Sequence, residues 1–238
     1  MEIRGHRECV ACGNRWSYYE TGELACPACG GMRSVSVEDS PKQHTASSVT
    51  LELSDARSGI DHRPLEETAR DAETAARRYV NRRGFITAGE LAPLDETFLA
   101  ACELEHVAAT IHRALTVDDT EAAYFLSLLA SADDGKRPDA TEVPESLTPA
   151  RGLAVAEAVA TYRRDLVEWL EAHETTAPVR PTLDQLNDHV KRIEALDGDI
   201  TPGDAERLIT AARELATAMA EGDTAALSRA DERLADLA

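Results

Sequence analysis

Four cysteines stand near the start of the chain in two pairs, Cys9-Val10-Ala11-Cys12 and Cys26-Pro27-Ala28-Cys29, with thirteen residues between the pairs. Thiolates are soft, negatively charged ligands, and four of them close a tetrahedral shell around one metal ion with no position left for a substrate. The two-residue gap lets a single tight turn present both sulfurs. Each pair is followed by glycine, Gly13 and Gly30, which accepts the positive φ that such a turn needs. Pro27 stiffens the second turn at a position whose N–H is not required. The expected chemistry is structural metal binding by Cys9, Cys12, Cys26 and Cys29. A disulfide framework is the competing use of paired cysteines. An acidic composition and a start, Met1-Glu2-Ile3-Arg4, that does not read as a secretory leader argue against it.

The two C-x-x-C-G units resemble a zinc ribbon, as found at the start of transcription factor B, in polymerase subunits, in ribosomal proteins and in many uncharacterised proteins of salt-loving archaea. They resemble equally the rubredoxin-like site of rubrerythrins, where the metal is iron. The likeness covers about residues 5–33 and carries over only the four cysteines, as ligands of one Zn2+ or, alternatively, one Fe. Spacing does not separate the two metals; zinc is the commoner occupant. A piece of this length is too short to hold a core unaided, and structural zinc supplies roughly 10–16 kcal/mol to such a unit.

Between the pairs, Trp16 and Tyr18 would share one face of a strand, because side chains alternate, with a hairpin turn at Thr21-Gly22. One reading makes Arg15, Trp16, Tyr18, Tyr19 and Arg33 a surface that stacks nucleobases. The other makes the aromatics the cover of a small metal core, and the concentration of three aromatics in so short a stretch favours it.

Other reactive side chains are isolated. Glu103 and His106 form an E-x-x-H pair on one helix face, as in di-iron bundles. No second such pair follows the cysteine region, and both residues fall off the apolar stripe, so they are expected in solvent. His112 is expected at the edge of that stripe, and His173 at a helix end, where a cation suits the dipole. His62 and His189 have no matching ligands. Cys102 sits alone in mid-helix as a small core residue. Phosphate-binding glycine loops, nucleophile elbows and H-E-x-x-H motifs are missing, so no catalytic residues are assigned and a non-enzymatic role is expected.

Charge bounds the partners. Lys plus Arg number 25 against 44 Asp plus Glu, a formal net charge of −19, and only Lys42, Lys136 and Lys191 are lysine. A lysine-poor, acid-rich surface resembles that of proteins from salt-loving archaea. In residues 1–37, Arg4, Arg7, Arg15 and Arg33 balance Glu2, Glu8, Glu20 and Glu23, so the remainder carries the whole excess. Neither part has the basic footprint of a nucleic-acid binder. Direct nucleic-acid binding is therefore not supported by charge, and a protein or nucleoprotein partner is expected. No run of 18 or more apolar residues suggests a membrane span, and the cytoplasm is the expected location.

These features require three parts: a ribbon over residues 1–37, a polar linker over 38–60, and an acidic helical domain over 61–238. Val49, Leu51 and Leu53 alternate with polar residues and suggest a short strand added to the ribbon sheet. Beyond Asp61 the periodicity is helical. Segments are expected from Pro64 to Arg83, Pro93 to Leu115, Asp119 to Ala132, Pro149 to His173, Thr182 to Leu196, Pro202 to Glu221, and Asp223 to Leu237. In the second, Leu94, Phe98, Ala101, Leu104, Ala108, Ile111 and Leu115 make one buried stripe. The fold class is thus a small β zinc ribbon followed by an all-α helical bundle of about seven helices.

Overall fold

The computed structural model describes residues 1–175 and 177–237. The chain opens with β1 (Glu2–Ile3), β2 (His6–Cys9) and β3 (Arg15–Ser17), a four-residue helical turn α1 (Tyr18–Thr21), then β4 (Ser34–Ser36) and β5 (Lys42–Gln43). β2 is the centre of an antiparallel sheet of order β3-β2-β4, and β1 pairs separately with β5. The register sets Arg7 opposite Trp16 on one side and opposite Ser36 on the other.

A short helix α2 (Ser54–Ser58) and α3 (Leu65–Val80) follow, then a hairpin of β6 (Ile86–Thr87) and β7 (Glu90–Leu91). The remaining helices are α4 (Glu96–Arg113), α5 (Asp119–Ser131), α6 (Thr148–Ala172), α7 (Arg180–Ala195), α8 (Pro202–Glu221) and α9 (Thr224–Ala235). The coarse expectation of small antiparallel sheets followed by a mostly helical region holds. α3 through α9 correspond one to one with the seven expected segments.

Their boundaries follow local chemistry. Asp95, Asp118, Thr201 and Asp223 each cap a helix by accepting a backbone N–H within the first turn, which satisfies donors that the helix itself cannot. α4 therefore starts at Glu96 rather than Pro93, and it ends at Arg113, leaving Leu115 fully exposed. Pro181 lies in the first turn of α7 and opens that helix, because no N–H is needed there. Thr182, the expected start of that segment, lies inside α7 and donates to Asp231 at 2.7 Å.

α4 is the central helix. Phe98, Ala101, Leu104, Ala108 and Ile111 are buried as the stripe requires, but so are Leu99, Ala100, Cys102, Glu103, Glu105 and Val107. It packs against α3, α5 and α6, so a single-stripe reading of α4 is too narrow. Alanines carry much of this packing: Ala69, Ala72 and Ala76 of α3 are fully buried, as are Ala100, Ala101 and Ala108 of α4. Small side chains let the backbones approach.

The expected strand at residues 49–53 is absent. Leu51 and Leu53 instead bury into the helical core without forming a strand; the strand that joins the ribbon region is β5. Residues 43–45 also contact the helices. Gln43 donates from Nε2 to the Glu168 carbonyl at 2.6 Å, and Thr45 Oγ1 donates to Asp165 at 2.6 Å. Asp165 accepts the Phe85 N–H as well. Gly84 makes this possible, since a Cβ there would overlap the Thr45 carbonyl.

Candidate metal centre

β2 delivers Cys9 at its last residue, and the chain then folds back through a turn closed by Gly13 N–H to Cys9 O at 2.9 Å. The second turn repeats this geometry, with Gly30 N–H to Cys26 O at 2.8 Å. Gly13 and Gly30 adopt φ of 73° and 71°, the left-handed conformation expected of them. Cys9 N–H to Asn14 O and Cys26 N–H to Gly31 O brace the bases of the two turns.

The two turns face each other. Cys9 Sγ lies 3.6 Å from Cys29 Sγ, and Cys12 Sγ lies 3.7 Å from Cys26 Sγ. All four sulfurs fall within 4.8 Å of one another. Tetrahedral bonds of about 2.3 Å place sulfurs about 3.8 Å apart, so the cluster fits one tetrathiolate-bound ion. This donor set suits zinc or iron, and its closed shell would supply structural cross-linking. Among the described residues, no other group of three or more His, Cys, Asp or Glu side chains gathers ligand atoms in this way.

The sulfurs are not equivalent. Cys9 and Cys26 are buried, whereas Cys12 and Cys29 are exposed. The N–H groups of Cys12 and Ala11 point at the Cys9 sulfur and lower its pKa. Burial alone would raise Cys26, but the N–H groups of Ala28 and Cys29, with the neighbouring sulfurs, bring it down to about 6. The Asn14 N–H favours the Cys12 thiolate, yet Cys29, burial and the other sulfurs push that thiol up to about 12. Crowded thiolates repel, and a bound cation would relieve that repulsion and favour the thiolate forms.

Trp16 covers Cys9 and Cys26, and these three residues form a separate small core. Its indole N–H donates to Glu23 O at 3.0 Å. Tyr18 and Tyr19 do not continue the strand as expected; they begin α1, which Gly22 terminates at φ 67°, so Thr21-Gly22 is a helix end rather than a hairpin turn. Tyr19 is buried, its ring packed on the backbone of Gly5 and its hydroxyl donating to Ile3 O and Glu38. The five residues of the stacking reading are thereby divided. Trp16 and Tyr19 are interior, Tyr18 is half-buried, and only Arg15 and Arg33 are exposed. Sequence reasoning missed His44, which is buried against Tyr19 with ring centroids 5.1 Å apart, and the Asn14 amide, 3.8 Å from Cys26 Sγ.

The helical candidates scatter. Glu103 is not in solvent: it is almost wholly buried, bonded to Tyr124, Arg137 and Arg151. His106 turns instead to Glu157 at 2.9 Å. The pair fails as a metal motif because its two side chains meet different neighbours. His112 faces the buried Glu73 at 2.8 Å. His173 stacks flat on Trp169 at 4.1 Å. His62 is exposed and His189 half-buried. Cys102 is fully buried, which pushes its thiol well up and leaves it unreactive.

Residues 1–234 match the sequence profile of a family of unknown function (DUF7117). The chain belongs to that family. Its profile runs through the cysteine cluster and nearly all of the helices, so the two are joined throughout the match. Comparisons with curated proteins and with solved structures return no match. No described helix is long and apolar enough to cross a membrane.

Proposed function

We propose that the four cysteines hold one structural Zn2+ and that the protein is a non-enzymatic interaction module for a protein or nucleoprotein partner, as in a transcription or translation complex. The observation that supports this reading is the surface of the ribbon. Val10, Leu24, Met32, Val35 and Val37 are each about half exposed or more, whereas residues 61–237 expose only Leu115 and Leu196 among large apolar side chains. Exposed apolar side chains gathered on a metal-braced knob are a contact surface. The same residues 1–37 are the only electrically balanced part of an acidic chain. Burial of Trp16 and Tyr19 removes two of the five proposed base-stacking groups and weighs against direct nucleic-acid recognition there. The composition suits the cytoplasm of a salt-loving archaeon.

Elemental analysis of purified protein tests the metal: one zinc per chain and a colourless solution are expected. One iron per chain with a visible thiolate-to-metal band would replace the structural reading by electron transfer, which the exposed Cys12 and Cys29 would serve. For the contact surface, Val10, Met32 and Val35 are changed together to Ser in the full chain. A partner captured at high salt by the native protein should be lost by this variant; retention refutes the ribbon as the contact surface.

A further inference from the structure

Four arginines fall within residues 77–83, Arg77, Arg78, Arg82 and Arg83, and no acid occurs from 74 to 89. This basic run lies in a chain of formal charge −19. Two of the four are neutralised, Arg77 by Glu73 and Glu105 and Arg83 by Asp95 at 2.7 Å. Arg78 in the last turn of α3 and Arg82 in the turn just beyond it are exposed, and among the described residues they make no ion pair and donate no side-chain hydrogen bond. With Ser47, Ser48, Val49 and Thr50 they line a cleft of about 320 Å³.

The facing segment is fixed in place. Ser47 Oγ donates to Arg82 O at 2.6 Å, Ser48 Oγ donates to Thr21 O at 3.3 Å, and Leu51 and Leu53 are anchored in the core. Its backbone N–H groups from 47 to 52 nevertheless find no protein acceptor among the described residues. A cation-favouring helix end accounts for arginines in the last turn of α3. It does not account for a clamped segment with unpartnered backbone N–H groups laid beside the two arginines that lack partners. One carboxylate, Glu52, borders the cleft and accepts the Thr50 hydroxyl at 3.0 Å; two guanidiniums outweigh it.

We propose that this cleft binds the phosphate of a phosphorylated ligand, with Arg78 and Arg82 as its charged clamps. Guanidinium forks match phosphate oxygens in pairs, and free backbone N–H groups supplement them. The volume stands at the low end for ligand sites, so one or two phosphoryl groups enter and the rest of the ligand projects outward. The site is distinct from the cysteine cluster and does not depend on which metal that cluster holds.

The test titrates the full-length protein with inorganic pyrophosphate, and separately with a single-stranded RNA oligonucleotide, by calorimetry at about 0.1 M and about 1 M salt. Saturable 1:1 pyrophosphate binding is expected at the lower salt, weakened tenfold or more in the Arg78→Gln/Arg82→Gln double variant. Arg70→Gln, an exposed α3 position outside the cleft, should leave it unchanged. Circular dichroism verifies that both variants are folded. RNA binding that competes with pyrophosphate identifies a nucleic-acid backbone as the source of the phosphate; pyrophosphate binding without RNA binding identifies a small phosphorylated compound. Absence of saturable pyrophosphate binding at the lower salt, or an equal loss in Arg70→Gln, overturns the proposal.

Discussion

The Arg151 guanidinium on α6 lies 3.3 Å from the Glu103 carboxylate on α4, with both side chains almost wholly removed from water. Arg151 also reaches Glu206 on α8 at 2.6 Å and Pro138 O at 3.1 Å, while Arg137 approaches Glu103 at 3.2 Å. Four segments of chain meet at this point. Removing one member of a buried pair leaves an uncompensated charge and costs about 3–5 kcal/mol. Arg151→Met should therefore lower the melting temperature by about 10 °C, given roughly 2–4 °C per kcal/mol at this chain length. Combining it with Glu103→Leu should recover part of the loss. Thermal unfolding of the two variants measures both effects.

Acid should loosen the same junction. Burial works against the Glu206 carboxylate, but Arg137 and Arg151 hold its pKa below the usual range. A depressed carboxyl adds stability that is present above its unfolded value, about 4.3, and is lost as pH falls through the folded value. Burial lowers the pKa of His44 at the ribbon contact. Its unfolded form protonates first, so stability there should fall as pH drops below about 6.5. Unfolding midpoints between pH 7 and about pH 2 should show two declines, and His44→Gln should remove only the upper one.

Metal removal should act locally. The ribbon's own core is Cys9, Trp16 and Cys26, too little to stay folded without an ion. In a Trp169→Phe background, chelation or Cys9→Ser should shift Trp16 emission to the red as the indole loses Glu23 and enters water. Far-ultraviolet circular dichroism should keep most of its helical signal. Loss of the helices together with the ribbon would show that the two parts fold as one unit.

Gly152 tests a contact made by backbone alone. It is buried in the second turn of α6, and a Cβ there would overlap the Gly198 carbonyl in the α7–α8 connection. Helix propensity by itself predicts that Gly152→Ala stabilises by about 1 kcal/mol. Overpacking costs about 1–3 kcal/mol and should win, because both sides of the contact are backbone. Denaturant unfolding decides the sign.

Local chemistry was legible in the sequence. The C-x-x-C-G spacing determined both turns and the positive φ of Gly13 and Gly30, since a turn needs only its own residues. Helix order and most helix ends were legible for the same reason: Thr201 and Asp223 act within one turn. Tertiary structure alone decided which faces are covered. Glu103 looked solvent-facing by periodicity, yet α4 is enclosed by three helices, and Arg137 and Arg151 arrive from residues 34 and 48 positions away. Leu51 and Leu53 alternate like a strand but pair with no strand, because the helical core buries them first. The four cysteines declared themselves through spacing along the chain; the approach of their four sulfurs to within 4.8 Å required the β2 sheet and the packing of Trp16 against Cys9 and Cys26.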